Sequence, residues 1–116
     1  MSALHGQLMA LGVDVVPTLQ RFDNNDALLV RCLKLFAQDD SYQEAETALE
    51  LGNFKRLEAI AHSIKGTSIN VGLVDLSKQW NSVMEAVRNN KLENIDELTY
   101  TALDTYHKTC DAIQEL

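Results

Sequence analysis

Apolar residues recur at helical spacing along almost the whole chain, and no stretch alternates with the period of two that a half-buried strand requires. Leu4, Leu8 and Leu11 form a weak apolar lead over residues 1–12. Asp14 can cap a short helix with Pro17 in its first turn, where a missing N–H costs nothing; that helix should end near Phe22. Asp23-Asn24-Asn25-Asp26 reads as a turn and cap, and a long helix is predicted over 25–51. Its stripe is Leu28, Leu35, Tyr42 and Leu49 with Cys32, Phe36 and Ala45, and Asp39-Asp40 interrupts it, where a bend is expected. Gly52 suits a helix-ending position with positive φ, and Asn53 can cap the next helix.

Three further helices follow. One is predicted over 54–71 and ends at Gly72; a second, over 74–89, carries Leu76, Trp80, Val83, Met84 and Val87 on one face. The last, over 92–114, presents Ile95, Leu98, Ala102, Tyr106 and Ile113, with His107 to the side as a surface or boundary residue. Four amphipathic helices joined by short turns predict an all-α fold, an antiparallel up-and-down four-helix bundle, with a short additional N-terminal helix (residues 1–22 with its lead) across one end.

Composition narrows this little. A chain of 116 residues makes one domain with a single core. One proline and five glycines do not suit a turn-rich β fold. No apolar run reaches the roughly 20 residues that cross a bilayer, and no signal-peptide pattern opens the chain, so the expected location is cytoplasmic and no membrane partner is expected. The net charge of −7 disfavours nucleic acid, whose binding rests on Lys and Arg. Cys32 and Cys110 have no CxxC neighbour and read as buried free thiols, not metal ligands. His5 has no titratable residue near it in sequence and reads as a surface side chain.

The candidate chemistry lies in Ala61-His62-Ser63-Ile64-Lys65-Gly66-Thr67-Ser68-Ile69-Asn70-Val71-Gly72. At about 100° per residue, Leu57, Ile60, Ala61, Ile64, Ser68 and Val71 gather on a core face with Phe54 at its margin. His62 falls opposite, sharing its face with Lys55, Glu58, Lys65, Gly66 and Ile69. A lone exposed histidine is usually a solvated one. Gly66 alters that reading, because a mid-helix glycine costs roughly 0.5–1 kcal/mol relative to alanine and no internal partner explains it on an outward face. At i+4 it is the immediate neighbour of the imidazole, so its missing side chain clears an approach. Lys65, at i+3, is either a solvated charge or a cation set beside an anionic group on the histidine. Ile69 is an apolar residue bordering the same patch and suits a docking surface, as do Lys55 and Glu58.

Phosphoryl transfer fits these parts: a neutral imidazole nitrogen can take a phosphoryl group as a phosphoramidate. Such transfer is mostly positioning and charge stabilisation. The sequence has no Gly-rich phosphate loop and no carboxylate cluster for Mg²⁺ near His62, so the metal and second reactive group are expected from a partner.

The run Ala61-His62-Ser63-Ile64-Lys65-Gly66, followed by Ser68 and Gly72, resembles the signature of histidine-containing phosphotransfer (HPt) domains of bacterial phosphorelays. Phe36, Gly52, Met84-Glu85 and the lead Gly12-Val13-Asp14-Val15 fall at similar spacing. The resemblance implies a single HPt domain over 1–116 in which His62 accepts a phosphoryl group from a receiver-domain aspartate and passes it to another receiver. Lys65 would stabilise the phosphoryl charge and Gly66 would give the receiver room. The implied partners are receiver domains of a hybrid sensor kinase or a response regulator, which supply Mg²⁺. The chain itself is expected to be a monomer with no cofactor, no metal and no ATP-binding or kinase activity. Ile69 departs from the family, where that position is often small, and bears on docking. Two other readings stand beside this one: the phosphorylatable domain of a chemotaxis-type histidine kinase, which has a similar His-Ser-Ile-Lys-Gly run, and a non-catalytic helical adaptor that docks receivers. A metal-binding bundle fits less well, since no Glu-x-x-His pair faces the core.

Overall fold

A computed structural model describes residues 2–116; Met1, the first residue of the predicted lead, lies outside the described residues. Helix α1 spans Ala3–Leu11, α2 Val15–Arg21, α3 Asp26–Ala37, α4 Ser41–Glu50, α5 Phe54–Asn70, α6 Val74–Arg88 and α7 Ile95–Gln114. The fold is all-helical, and among the described residues no helix is long and apolar enough to cross a membrane.

The local signals explain most of these boundaries. Ser2 Oγ accepts from the His5 N–H at 3.1 Å to start α1, Asn25 Oδ1 accepts from Leu28 at 3.0 Å to start α3, and Asn53 Oδ1 accepts from Arg56 at 3.2 Å to start α5. Asp14 occupies the cap position of α2 without a side-chain cap bond; its backbone N–H instead donates to Gly72 O at 2.9 Å. Beyond the C-terminus of α5, Gly72 takes a φ of 81°, a conformation that L side chains resist. It has a second constraint. A Cβ there would run into the Thr18 side chain, because α2 packs directly on the Gly72 backbone. Val13 and Leu73 pair as an isolated antiparallel bridge at the same junction. The N-terminal segment is thereby fixed to the α5–α6 turn.

The helix expected over 25–51 is two helices. Asp39 Oδ1 accepts from both the N–H (3.0 Å) and the hydroxyl (2.8 Å) of Ser41, so the carboxylate starts α4 and stops α3 from continuing. The break also changes the phase of the stripe. In α3 the buried residues are Leu29, Leu33 and Phe36, whereas Leu28 and Leu35 are 42% and 60% exposed. The adjacent apolar pair Leu28-Leu29 fits either register, and carrying one heptad across Asp39-Asp40 selected the wrong one for α3. In α4 the expected Ala45 and Leu49 are buried, with Ala48. The last helix begins at Ile95, later than the predicted residue 92; Leu92 packs against the core from the preceding turn.

Helix α5 packs chiefly on α6 and also on α4; α6 packs on α7, and α7 runs along both α3 and α4. At the centre Tyr106 is buried, stacked on Phe36 with ring centroids 5.3 Å apart and meeting Trp80 edge-on at 6.2 Å. Burial pushes the Tyr106 phenol up, keeping it neutral. Cys32 and Cys110 are free but only partly buried, a correction to the expected buried thiols; burial pushes Cys110 up to about 12, with Asp111 and Asp39 adding to the effect.

Candidate functional site

The two faces of α5 separate as its sequence dictates. Leu57, Ile60, Ala61, Ile64 and Ser68 are buried, and Val71 follows them into the core. Lys55, His62, Gly66 and Ile69 are exposed, while Glu58 and Lys65 are partly buried at the edges of the outward face. All six candidate residues therefore lie on one side of one helix, and rigid packing of the other side against α4 and α6 holds them in place.

The three histidines differ in a way that the sequence does not reveal. His5 is not a free surface residue: its Nε2 lies 3.0 and 3.2 Å from the two carboxylate oxygens of Asp26, which links α1 to α3. His107 is exposed, as expected, with Nε2 3.3 Å from Asp111 Oδ2. Among the described residues, the His62 ring alone has no carboxylate within ion-pair distance and no hydrogen-bond partner. The residue is exposed to solvent halfway along α5.

The surroundings of His62 are equally bare. A Cβ added to Gly66 would meet nothing within 4 Å, so no close helix contact accounts for the glycine. The Lys65 carbonyl accepts from Ser77 Oγ at 2.9 Å, fixing the backbone beside His62 to α6, and its ammonium group is in no ion pair among the described residues. Glu58 is engaged: Arg88 of α6 donates from Nε to its Oε1 at 2.6 Å. Its carboxylate already has a partner within the protein.

Arg88 and Arg21 are the neighbours that sequence reasoning missed. Arg21 donates from Nη2 to the carbonyls of Ile69 at 3.1 Å and Asn70 at 3.3 Å, capping the end of α5 from α2. A basic residue in the last turn of α2 was visible, but nothing local shows which helix end it will meet 48 positions away. A groove of about 570 Å³ between α2, α3 and α5 is lined by Phe22, Leu35, Phe36, Thr67 and Val71 among others and does not include His62.

The fold and site define a helical bundle that presents one unpartnered histidine on an otherwise well-anchored helix. The family model for the Hpt domain matches residues 34–115, and the chain belongs to that family. Hpt domains carry out histidine phosphotransfer in phosphorelays, typically with receiver domains, and in general have no kinase activity of their own. No curated protein and no solved structure matches the chain. Helices α1 and α2 and most of α3 precede the matched segment.

Proposed function

We propose that His62 is the phosphoacceptor of this Hpt domain, and that the protein relays phosphoryl groups between the receiver domain of a hybrid sensor kinase and that of a response regulator. The observation that carries the reading is the isolation of His62. Among the described residues it is the one histidine of three whose ring is in no ion pair, and it stands exposed beside a glycine. A nucleophilic imidazole needs an unprotonated nitrogen with a free lone pair and a clear line to phosphorus.

In the forward step that nitrogen attacks the phosphorus of an aspartyl phosphate. The P–N bond forms, the P–O bond to the aspartyl oxygen breaks, and the carboxylate leaves with the electron pair. The other ring nitrogen keeps its proton, so none need be released. Return of the phosphoryl group to a second aspartate reverses these bonds. Lys65 offers its ammonium group to the phosphoryl oxygens, and Gly66 leaves room for the incoming domain. Mg²⁺ belongs to the receiver, where it supplies charge stabilisation. The antiparallel up-and-down arrangement, with α3 and α4 together as one bundle helix, is part of the same reading.

The test is His62→Gln, which replaces the nucleophile with a neutral polar side chain. Incubated with a phosphorylated receiver, the variant is expected to take up no acid-labile phosphate while keeping its helical signal and melting temperature. Uptake at the parent's rate would overturn the assignment.

A further inference from the structure

The chain is acidic overall, yet its charges are unevenly placed. Helix α5 carries Lys55, Arg56 and Lys65 against Glu58; Arg56 is paired with Glu44 of α4 at 3.5 Å and Glu58 with Arg88 of α6, which leaves Lys55 and Lys65 in no ion pair among the described residues. Arg21 adds a cation at the end of α5, where its guanidinium is held by two carbonyls; it shares a groove with Asp39 but is in no ion pair among the described residues. Most of the acids lie elsewhere, although Glu44 of α4 reaches α5 through Arg56. Helix α4 has Glu44, Glu46 and Glu50 and no basic residue, and α7 has Asp96, Glu97, Asp104 and Asp111 against Lys108. Glu46, Glu50 and Asp96 are close enough together to act jointly on the Tyr100 phenol, which partial desolvation and then these charges push up.

The scale of the molecule decides which charge a partner feels. Its short axes are 23 and 18 Å, whereas exposed charges are screened beyond about 8 Å at physiological ionic strength. A protein approaching α5 therefore meets Lys55, Lys65 and Arg21 and not the net charge of −7. Approach from the α4–α7 side meets an excess of carboxylates on both helices.

We infer that the α5 face is a cationic steering surface: it recruits a protein whose docking face is acidic and orients it toward His62, while the acidic α4–α7 side rejects it. This rests on the phosphorelay reading and adds the partner's chemistry, a carboxylate-rich surface around the phosphoaspartate. It also explains how a protein of this net charge can engage such a partner. Local complementarity of this kind raises association rates by about 10-fold or more and is lost in high salt.

The experiment compares two substitutions that shift the net charge by the same amount, Lys55→Glu on α5 and Lys108→Glu on α7, both exposed positions. The probe is the host receiver domain that phosphorylates the parent fastest, loaded with Mg²⁺ and beryllofluoride, and the readout is the association rate constant by stopped flow. In about 0.15 M salt Lys55→Glu is expected to slow association by about fivefold or more, while Lys108→Glu stays within about twofold of the parent. In about 1 M salt, where the screening length falls to about 3 Å, all three rates should converge. Equal slowing by both variants would mean that net charge governs the encounter. No slowing by either would mean that docking is uncharged, and a larger effect of Lys108→Glu would place the docking face on α7. Each of these overturns the inference. Labelling of the parent and His62→Gln with phosphoramidate, a small donor that needs no docking face, tests the phosphoacceptor assignment separately.

Discussion

At the scale of single residues, the function reading depends on side chains that are absent or unoccupied. Gly66 is the clearest case, because its φ is not positive and a Cβ would enter open space. The fold therefore does not require glycine there. Gly66→Ala is expected to stabilise the protein by about 0.5–1 kcal/mol in urea denaturation, since alanine restricts the unfolded chain and suits a helix. Gly66→Glu should fold as well, yet transfer from a phosphorylated receiver should slow by about 10-fold or more, read by acid-labile phosphate over time. If the glutamate variant transferred at the parent's rate, the cleared approach to His62 would have no role. The facing of all six candidate residues was legible, because a helix fixes its angles from numbering alone. The pairing of His5 with Asp26 was not, since it is a contact between helices 21 positions apart.

Among the helices, the N-terminal lead is the element whose attachment matters most. Gly72 sits at its junction with α5 and α6, and two independent costs fall on any side chain there. A φ of 81° disfavours alanine by about 1–2 kcal/mol, and the new Cβ would overlap Thr18. Gly52 has a φ of 67° but open space around it, so it isolates the first cost. Gly52→Ala should lose about 1 kcal/mol, Gly72→Ala about 2–4 kcal/mol, and Gly72→Ala with Thr18→Ala should recover part of the difference, all read from urea midpoints at constant slope. Equal losses at the two glycines would show that Thr18 yields freely. Helix existence and most ends were legible here because caps and glycines act locally. The split at Asp39 was foreshadowed by the acid pair, but the phase of α3 was not: Leu28 and Leu29 are chemically equivalent, and only packing against α7 chooses between them.

For the whole molecule, the division of labour proposed is between a core that confers rigidity and the outward face of α5 as the surface that meets a partner. Tyr106 joins α3, α4 and α6 to α7 through its contacts with Phe36, Tyr42 and Trp80. Phe36 and Trp80 are buried with Tyr106, whereas Lys55, His62, Gly66 and Ile69 on the outward face of α5 are exposed. Tyr106→Ala should cost about 3–5 kcal/mol through lost burial and the cavity left behind, a large part of the 5–15 kcal/mol that holds a domain of this size. Tyr106→Phe, which keeps the ring, should cost less than about 1.5 kcal/mol. Phosphotransfer by Tyr106→Ala will then fall in proportion to the unfolded fraction and no further. Measured at low temperature and normalised to the folded fraction from circular dichroism, its rate should match the parent's. A deficit per folded molecule would mean that the core tunes the geometry of His62 and does more than hold α5 still. An unchanged rate would place the chemistry entirely on the one face of α5, with every other helix serving to keep that face straight and to set the charge around it.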